Sequence, residues 1–497
     1  MSGLLRNVVT TYIARLANVI GLFVLFPVVA RSVPTAEYGV YLLTATLAGM
    51  FTLDLGMSGS TTRYVSAAWN TRDTAKLKTT MATSYAFFGL ASLAGAVGVV
   101  LTLVISWPGL GLTENFAQAA IICAISAVLQ VIIGCFTTPH RLALIGVGRL
   151  DLANGVQLVQ LVLRIGVTFA VVLGGYADVA FIAAVDLAAL SAGCLLCWLV
   201  RRHLYPETNT SLRDARWPQF REMFALTRDF LVINVAAILI LQSGNVIVGL
   251  VLGATAVAIY GAGQRVYQVA RELTNSLTAA LLPVATSNHL SEELSANGKL
   301  YLQGTRYSNA LIFGVLPPIL FFMPTLVTAW LGENYAAAST PAVILVASMF
   351  FNNQHLVAVP VLGGQGSLRT YSVLHFLWAS SALALGITLT GQLGVAGMAI
   401  AISAPIVLLE PFYIVTATRR TGLRLLDFLV RAVFAPALPA IAISALLVLL
   451  ITVLGPTSLY LILGIIGAAF IMYFIAFGAF ILTREERSWL LQKIRRR

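Results

Sequence analysis

The chain has 497 residues, of which 59% are hydrophobic and 10% charged, with a mean hydropathy of +0.90. A soluble domain carries about 25% charged residues, so this composition excludes a chain that covers itself for water and leaves a polytopic membrane protein. The net charge of +12 is explained by topology, as its distribution shows.

Spanning a hydrocarbon core about 30 Å thick takes roughly 20 apolar residues in a helix. Runs of that kind occupy 8–30, 38–60, 81–104, 117–137, 152–173, 179–200, 230–252, 256–283, 307–330, 341–362, 371–390, 395–417, 432–453 and 458–482. The expectation is an all-α integral membrane protein of about fourteen transmembrane helices. Pro27, Pro283, Pro317, Pro318, Pro360, Pro405, Pro436 and Pro439 fall within the runs. Membrane helices tolerate such residues where neighbouring groups satisfy the freed backbone.

With the N-terminus placed in the cytoplasm and the sides alternated, 26 of the 31 Lys and Arg fall inside, four lie within spans, and Arg31 alone is outside. That asymmetry is the positive-inside pattern. It predicts both termini in the cytoplasm and anionic membrane lipids as partners of the basic loops, and it argues against nucleic acid. The first run is longer than a signal-peptide core and opens a string of similar runs, so it reads as a retained helix. Cys123, Cys135, Cys194 and Cys197 all fall in spans; the last two form a CxxC without a second pair, and packing is the expected role.

The longest polar stretch, Arg201 to Phe224, joins the sixth and seventh spans. A small-residue turn followed by Tyr-Gly occurs in ARSVPTAEYGVYLL (Ala30 to Leu43) and again in VLGATAVAIYGAG (Val251 to Gly263). A shift of 222 residues lays Tyr38-Gly39 on Tyr260-Gly261, and one of 223 lays Lys76-Leu77 on Lys299-Leu300. Two six-helix units in the same orientation are therefore expected: 1–200 and 230–417, joined by a cytoplasmic linker at 201–229. Helices 13 and 14 and a basic tail follow at 418–497. Parallel repeats of this kind are a transporter architecture with the substrate site between the halves.

The stretch from Ala30 to Lys78 resembles the first three helices of bacterial polysaccharide flippases, the Wzx-type members of the MOP (multidrug/oligosaccharidyl-lipid/polysaccharide) superfamily. The features that carry the resemblance are the Glu-Tyr-Gly turn, Leu-Asp-Leu-Gly at Asp54, Arg63-Tyr64 and the D-x-x-K-L ending at Leu77. In the second half LVLGATAVAIYGAGQRV, Leu282-Pro283, WLGENYAAA and LGGQG are similar too. The resemblance implies a V-shaped pair of bundles that alternates access. Its implied substrate is an undecaprenyl-diphosphate-linked oligosaccharide moving from the cytoplasmic to the periplasmic leaflet, with a polysaccharide polymerase complex as a candidate partner.

Charges inside a membrane cost at least about 2.5–3.5 kcal/mol each and face a cavity or a partner. Arg15 and Asn18 lie three apart on one face of the first span, as do Gln242 and Asn245 on the seventh. The eighth carries Gln264, Arg265, Gln268, Arg271, Glu272 and Asn275, a polar stripe at helical spacing. These faces would form a basic cleft in which arginine forks hold a diphosphate and the amides meet sugars. The candidate binding residues are thus Arg15, Asn18, Arg164, Gln242, Asn245, Arg265, Gln268 and Arg271. For Arg265 and Arg271 the alternative is pairing with Glu272 or snorkelling, and for Arg164 it is pairing with Asp186. Asp54 and Glu410 are candidates for ion coupling, Asp54 with a structural alternative. The amides at Asn352, Asn353 and Gln354 beside His355 suit either a sugar-facing surface or helix packing.

No G-x-x-x-x-G-K-[ST] motif is present, so ATP hydrolysis by this chain is excluded, and no cofactor or metal is expected. An enzyme reading, such as a polymerase or ligase acting on lipid-linked sugars, would require a large outer loop or clustered acids and histidines. A multidrug-type cation antiporter of the same superfamily would favour acids in the cleft.

Overall fold

Backbone N–H and C=O groups find no water in hydrocarbon, so a chain this apolar must satisfy them within helices. The structure is a computed structural model that describes residues 2–111, 114–278, 281–290, 294–454, 458–482 and 486–488, and among these there is no strand. The first helices are α1 (Ser2–Ser32), α2 (Thr35–Phe51), α3 (Met57–Asn70), α4 (Thr74–Ser106), α5 (Glu114–Gly146), α6 (Leu150–Leu173), α7 (Val179–Leu204), α8 (Trp217–Leu252) and α9 (Ala254–Thr278). They are followed by α10 (Leu281–Leu290), α11 (Leu294–Phe321), α12 (Met323–Leu331), α13 (Ser339–Gly364), α14 (Arg369–Arg420), α15 (Leu425–Phe428), α16 (Ala435–Leu454) and α17 (Leu459–Phe480).

Ten helical stretches among the described residues are long and apolar enough to cross a membrane, or eleven if α11 and α12, bent by 75°, form one span. Three local features separate that number from the fourteen predicted runs. The run over 38–60 is two helices, because Leu55 and Gly56 take left-handed backbone (φ 47° and 80°) after α2. Asp54 then accepts the Ser58 amide at 2.8 Å and caps α3. The run over 256–283 lies largely on α9, whose polar stripe lowers its hydropathy. The runs 371–390 and 395–417 share α14, in which Gly394 (φ 62°, ψ −146°) interrupts the helix.

Contacts on either side of Gly394 show what α14 is. The Trp378 indole donates to the Ile402 carbonyl at 2.9 Å, the Tyr371 hydroxyl donates to the Tyr413 carbonyl at 3.0 Å, and Thr390 Oγ1 lies 3.6 Å from Met398 Sδ. These pairs converge on the break, so α14 is an antiparallel hairpin whose arms are the two predicted runs. Only glycine adopts its backbone conformation readily.

By packing, the chain divides into two compact units. Unit 1 holds Met1–Gly261 with Leu383–Met398, and unit 2 holds Ala262–Ala382 with Ala399–Arg497. In unit 1, α5 packs on α4 and α7, α1 on α6, and α8 on α2, α3 and α4. In unit 2, α11 packs on α13, α16 and α17. Large apolar side chains remain exposed, among them Leu93 and Val104 of α4 and Ile471 and Ile475 of α17, as a lipid-facing surface requires. Cys197 packs with Leu144, Ala153 and Val156.

The repeated Tyr-Gly turns pack on each other within unit 1. Tyr38 and Tyr260 are buried. A methyl group at Gly39 would overlap the Ala254 carbonyl, and one at Gly261 would come 2.9 Å from Leu42 Cδ1. The small residues are thus what lets α2 approach the start of α9. Gly39→Ala is expected to cost about 1–3 kcal/mol, as overpacking does, and to lower the melting temperature of the detergent-solubilised protein. Gly89→Ala, in the interior of α4 where the methyl meets nothing within 4 Å, should not lower it, since alanine is the better helix former.

Candidate functional site

Unit 1 places one of the predicted arginines in a closed electrostatic cluster. Arg164 of α6 holds Asp186 of α7 through both carboxylate oxygens, Nε to Oδ1 at 2.6 Å and Nη2 to Oδ2 at 2.9 Å. The Tyr41 hydroxyl of α2 donates to Oδ2 at 2.6 Å and accepts from Nη2 at 3.1 Å. Bidentate geometry of this kind is the strongest arrangement of an ion pair, and it leaves no net charge between three helices. Asp186, weighed from sequence as the alternative partner, is the group Arg164 meets.

The other unit 1 candidates are separate from that cluster. Asn245 is buried and its Nδ2 donates to Thr46 Oγ1 at 2.9 Å, tying α8 to α2. Gln242, three residues before it, is half-buried and beside Gly49. Arg15 and Asn18 are half-buried on α1, and Arg15 makes no ion pair among the described residues. Asp54 is the helix cap described above.

In unit 2 the stripe on α9 divides into paired and open groups. Arg265 Nη1 donates to Gln268 Oε1 at 3.0 Å, and Asn275 Nδ2 donates to Glu272 Oε2 at 3.2 Å. Arg271 is half-buried and forms no ion pair among the described residues. It shares its helix with the Arg265–Gln268 pair.

Behind α9 lies a buried amide network. Asn353 Oδ1 accepts from Thr274 and Ser308 at 3.0 Å each, its Nδ2 donates to Asn309 Oδ1 at 2.7 Å, and Asn309 Nδ2 donates to the Ala432 carbonyl at 2.7 Å. Asn352, Asn353, Gln354 and His355 are each at most 2% exposed. For Asn353 that network is helix packing, the second of the two roles weighed from sequence, while Asn352 Nδ2 reaches the Tyr267 hydroxyl at 3.4 Å and Gln354 Nε2 the Phe350 carbonyl at 3.3 Å.

Glu410 meets His355 at the centre of unit 2. The His355 amide donates to Oε1 at 3.0 Å and its Nδ1 lies 2.8 Å from Oε2. One proton must sit between Nδ1 and Oε2, whichever atom holds it. Aromatic rings enclose the pair: Tyr413 stacks on His355 at 4.9 Å, and His375 and Trp378 meet it edge-on at 5.6 Å. The Tyr413 hydroxyl lies 2.9 Å from His375 Nδ1, a second hydrogen-bonded pair beside the first. Arg271 is within electrostatic reach of both histidines. Sequence reading took His355 singly and missed this assembly. Its signal was Tyr371, His375 and Trp378 at one-face spacing on one arm, with Glu410 and Tyr413 three apart on the other. Among the described residues no group of three His, Cys, Asp or Glu is placed to hold a metal.

The polysaccharide biosynthesis protein family model matches residues 4–289, more than half of the chain. The chain belongs to this family. No curated protein matches it. Among solved structures, lipid II flippase MurJ in an inward closed conformation is similar at a TM-score of 0.69 and 13% identity, covering 95% of this chain and 98% of that one. An inward-facing multidrug resistance MATE family transporter of the MOP superfamily is similar at 0.65 and 15% identity, covering 82% and 98%. An outward-facing MATE transporter gives 0.57 and 14%, covering 84% and 95%. At these identities the likeness is one of fold, and it is the MOP fold that the resemblance implied. All candidate binding residues of this polysaccharide biosynthesis family member lie in the matched part, whereas Glu410 and His355 lie beyond it.

Removing one member of a buried ion pair leaves the other charge unpaired, at about 3–5 kcal/mol. Arg164→Leu and Asp186→Leu are each expected to reduce the folded fraction recovered from membranes. The double variant should recover it, measured as the monodisperse peak in size-exclusion chromatography.

Proposed function

We propose that the protein is a flippase that moves undecaprenyl-diphosphate-linked oligosaccharide units across the bacterial cytoplasmic membrane by alternating access, during synthesis of a cell-surface polysaccharide. Family membership supports the polysaccharide, and the fold shared with a protein named as a lipid II flippase supports a lipid-linked cargo. The observation that carries the reading is a groove of about 610 Å³ in unit 2, where Leu438, Pro439 and Ala442 of α16 face Ala476 and Phe480 of α17 and the arginines Arg306 and Arg431 stand among them. An apolar wall bearing guanidinium groups suits a polyprenyl chain joined to phosphate. Arg306 is engaged by Glu486 and Tyr307, and Arg431 is exposed.

In this reading both termini are cytoplasmic, so Arg306 and Arg431 stand near the leaflet where such a lipid is made. Arg265 and Arg271 of unit 2 bind the diphosphate and Gln268 offers a donor to a sugar; in unit 1, Arg15, Asn18 and Gln242 are separate candidate donors, while Asn245 ties α8 to α2. Arg164 acts through its pair with Asp186. A polysaccharide polymerase complex is the proposed recipient of the product. A cation antiporter would need acids open to its cargo, and Asp186, Glu410 and Asp54 each have protein partners.

The hydrogen-bonded pair of His355 and Glu410 is the proposed coupling element, since the carboxylate left on proton release keeps the His355 amide and ring Nδ1 as hydrogen-bond partners. Asp54, capping α3, is the weaker candidate.

Arg271→Ala and Arg265→Ala are expected to slow translocation of a labelled polyprenyl-diphosphate oligosaccharide in proteoliposomes by about tenfold or more. That loss corresponds to charge-assisted hydrogen bonds worth roughly 1.5–3 kcal/mol. Membrane levels should stay normal, and Arg265→Lys should recover only part of the rate. Glu410→Gln keeps an acceptor for the His355 amide, so downhill exchange should persist while acceleration by a pH gradient disappears. A Glu410→Gln variant that still responds fully to the gradient would remove Glu410 from coupling.

A further inference from the structure

A second groove lies in unit 1, and nothing above uses it. It has a volume of about 420 Å³ and runs along α4 from Thr83 past Ala86 and Leu90 to Ala94. The eleven helical steps from Thr83 to Ala94 span about 16 Å, close to half of a hydrocarbon core about 30 Å thick. The groove is therefore about one leaflet deep. Leu53 and Leu55, from the break between α2 and α3, form one wall.

The two ends differ in character. The Arg216 amide donates to Thr83 Oγ1 at 3.4 Å, which fixes Arg216 and Trp217 at the Thr83 end. The Ala94 end is apolar. Trp217, Phe220 and Phe87 form a stacked slab along the side, with centroids 5.0 Å and 6.3 Å apart in turn. Trp217 is 69% exposed, as a ring at a membrane–water interface would be.

Charge at the polar end is positive. Lys78 and Arg216 act on Asp214, and Arg213 lies next to it in sequence. The Ser211 amide and the Thr210 hydroxyl hold Asp214 below the usual carboxylate range. It stays ionised and offsets one of the three cations. Arg216 is exposed and makes no ion pair among the described residues.

We propose that this groove holds an acyl chain of an anionic phospholipid, its phosphate against the Arg216 guanidinium and its chain beneath Trp217 and Phe220. A neutral lipid would fill the apolar walls equally well but leave the cationic end without a counter-charge. The inference is independent of the substrate reading, because the groove lies in unit 1 and the arginine-bearing groove in unit 2. An occupant would brace the start of α8 against α4 and the helix break, the three elements that line it.

The test is tryptophan quenching in the full-length protein reconstituted in phosphatidylcholine vesicles. The Trp217 signal is obtained by subtracting a Trp217→Phe variant. Dibrominated phosphatidylglycerol is expected to quench it about fivefold more effectively than dibrominated phosphatidylcholine, the effect of one basic residue at an anionic surface. Arg216→Gln should remove that excess. Ala86→Phe, which fills the groove and keeps the charge, should also remove the excess, leaving the equal quenching by surrounding lipid that an exposed ring receives. Equal quenching by the two lipids in the unaltered protein, or an excess that survives Arg216→Gln or Ala86→Phe, would overturn the proposal. So would relief by undecaprenyl phosphate at a lower mole fraction than unlabelled phosphatidylglycerol, which would assign the groove to a polyprenyl chain.

Discussion

The requirement that every backbone polar group be satisfied inside the protein shapes this molecule more than any other constraint. Continuous helices meet it without help, so the informative places are those where helices stop. There are three such places among the apolar segments described. At Leu53–Gly56 the chain leaves helical conformation and Asp54 captures an early amide of α3. Between α11 and α12 it bends by 75°. At Gly394 it reverses and lays one arm of α14 along the other. The first break opens the groove along α4. The last brings Glu410 and His375 from opposite arms into one cluster with His355.

Charge follows the same logic. A bare charge in hydrocarbon is expensive, and the two units handle that cost differently. Unit 1 closes Arg164, Asp186 and Tyr41 into a neutral cluster, and unit 2 encloses Glu410 and His355 in aromatic rings. Against this background the α9 stripe stands out. Arg265 has an amide partner in Gln268, and Arg271 has no carboxylate partner among the described residues.

Much of this was legible in the sequence because a membrane imposes simple periodicities. Run length located most of the apolar helices, and Asp186 was recognisable as a partner for Arg164. The Tyr-Gly repeat was visible too, although only packing revealed that its two copies touch at Gly39 and Ala254. Helix ends were harder to see. The run over 38–60 is apolar throughout, so hydropathy passes over a break made by backbone angles at Leu55 and Gly56. The His355–Glu410 cluster was hidden for another reason. Its members are 55 residues apart in sequence, and a hairpin that reverses at Gly394 is what joins them. Asn352 to Gln354 showed the converse ambiguity, since an amide on a membrane helix looks the same whether it faces sugar or another amide.

The proposed flippase of lipid-linked oligosaccharide would unite the family, the fold, the α9 arginines and the groove that carries Arg306 and Arg431. The most direct test is the leaflet distribution of undecaprenyl-diphosphate oligosaccharide after this protein is depleted from its own cells. The account predicts that complete units accumulate facing the cytoplasm. Complete units that reach the periplasm and fail only to polymerise would contradict it and point to an enzyme instead.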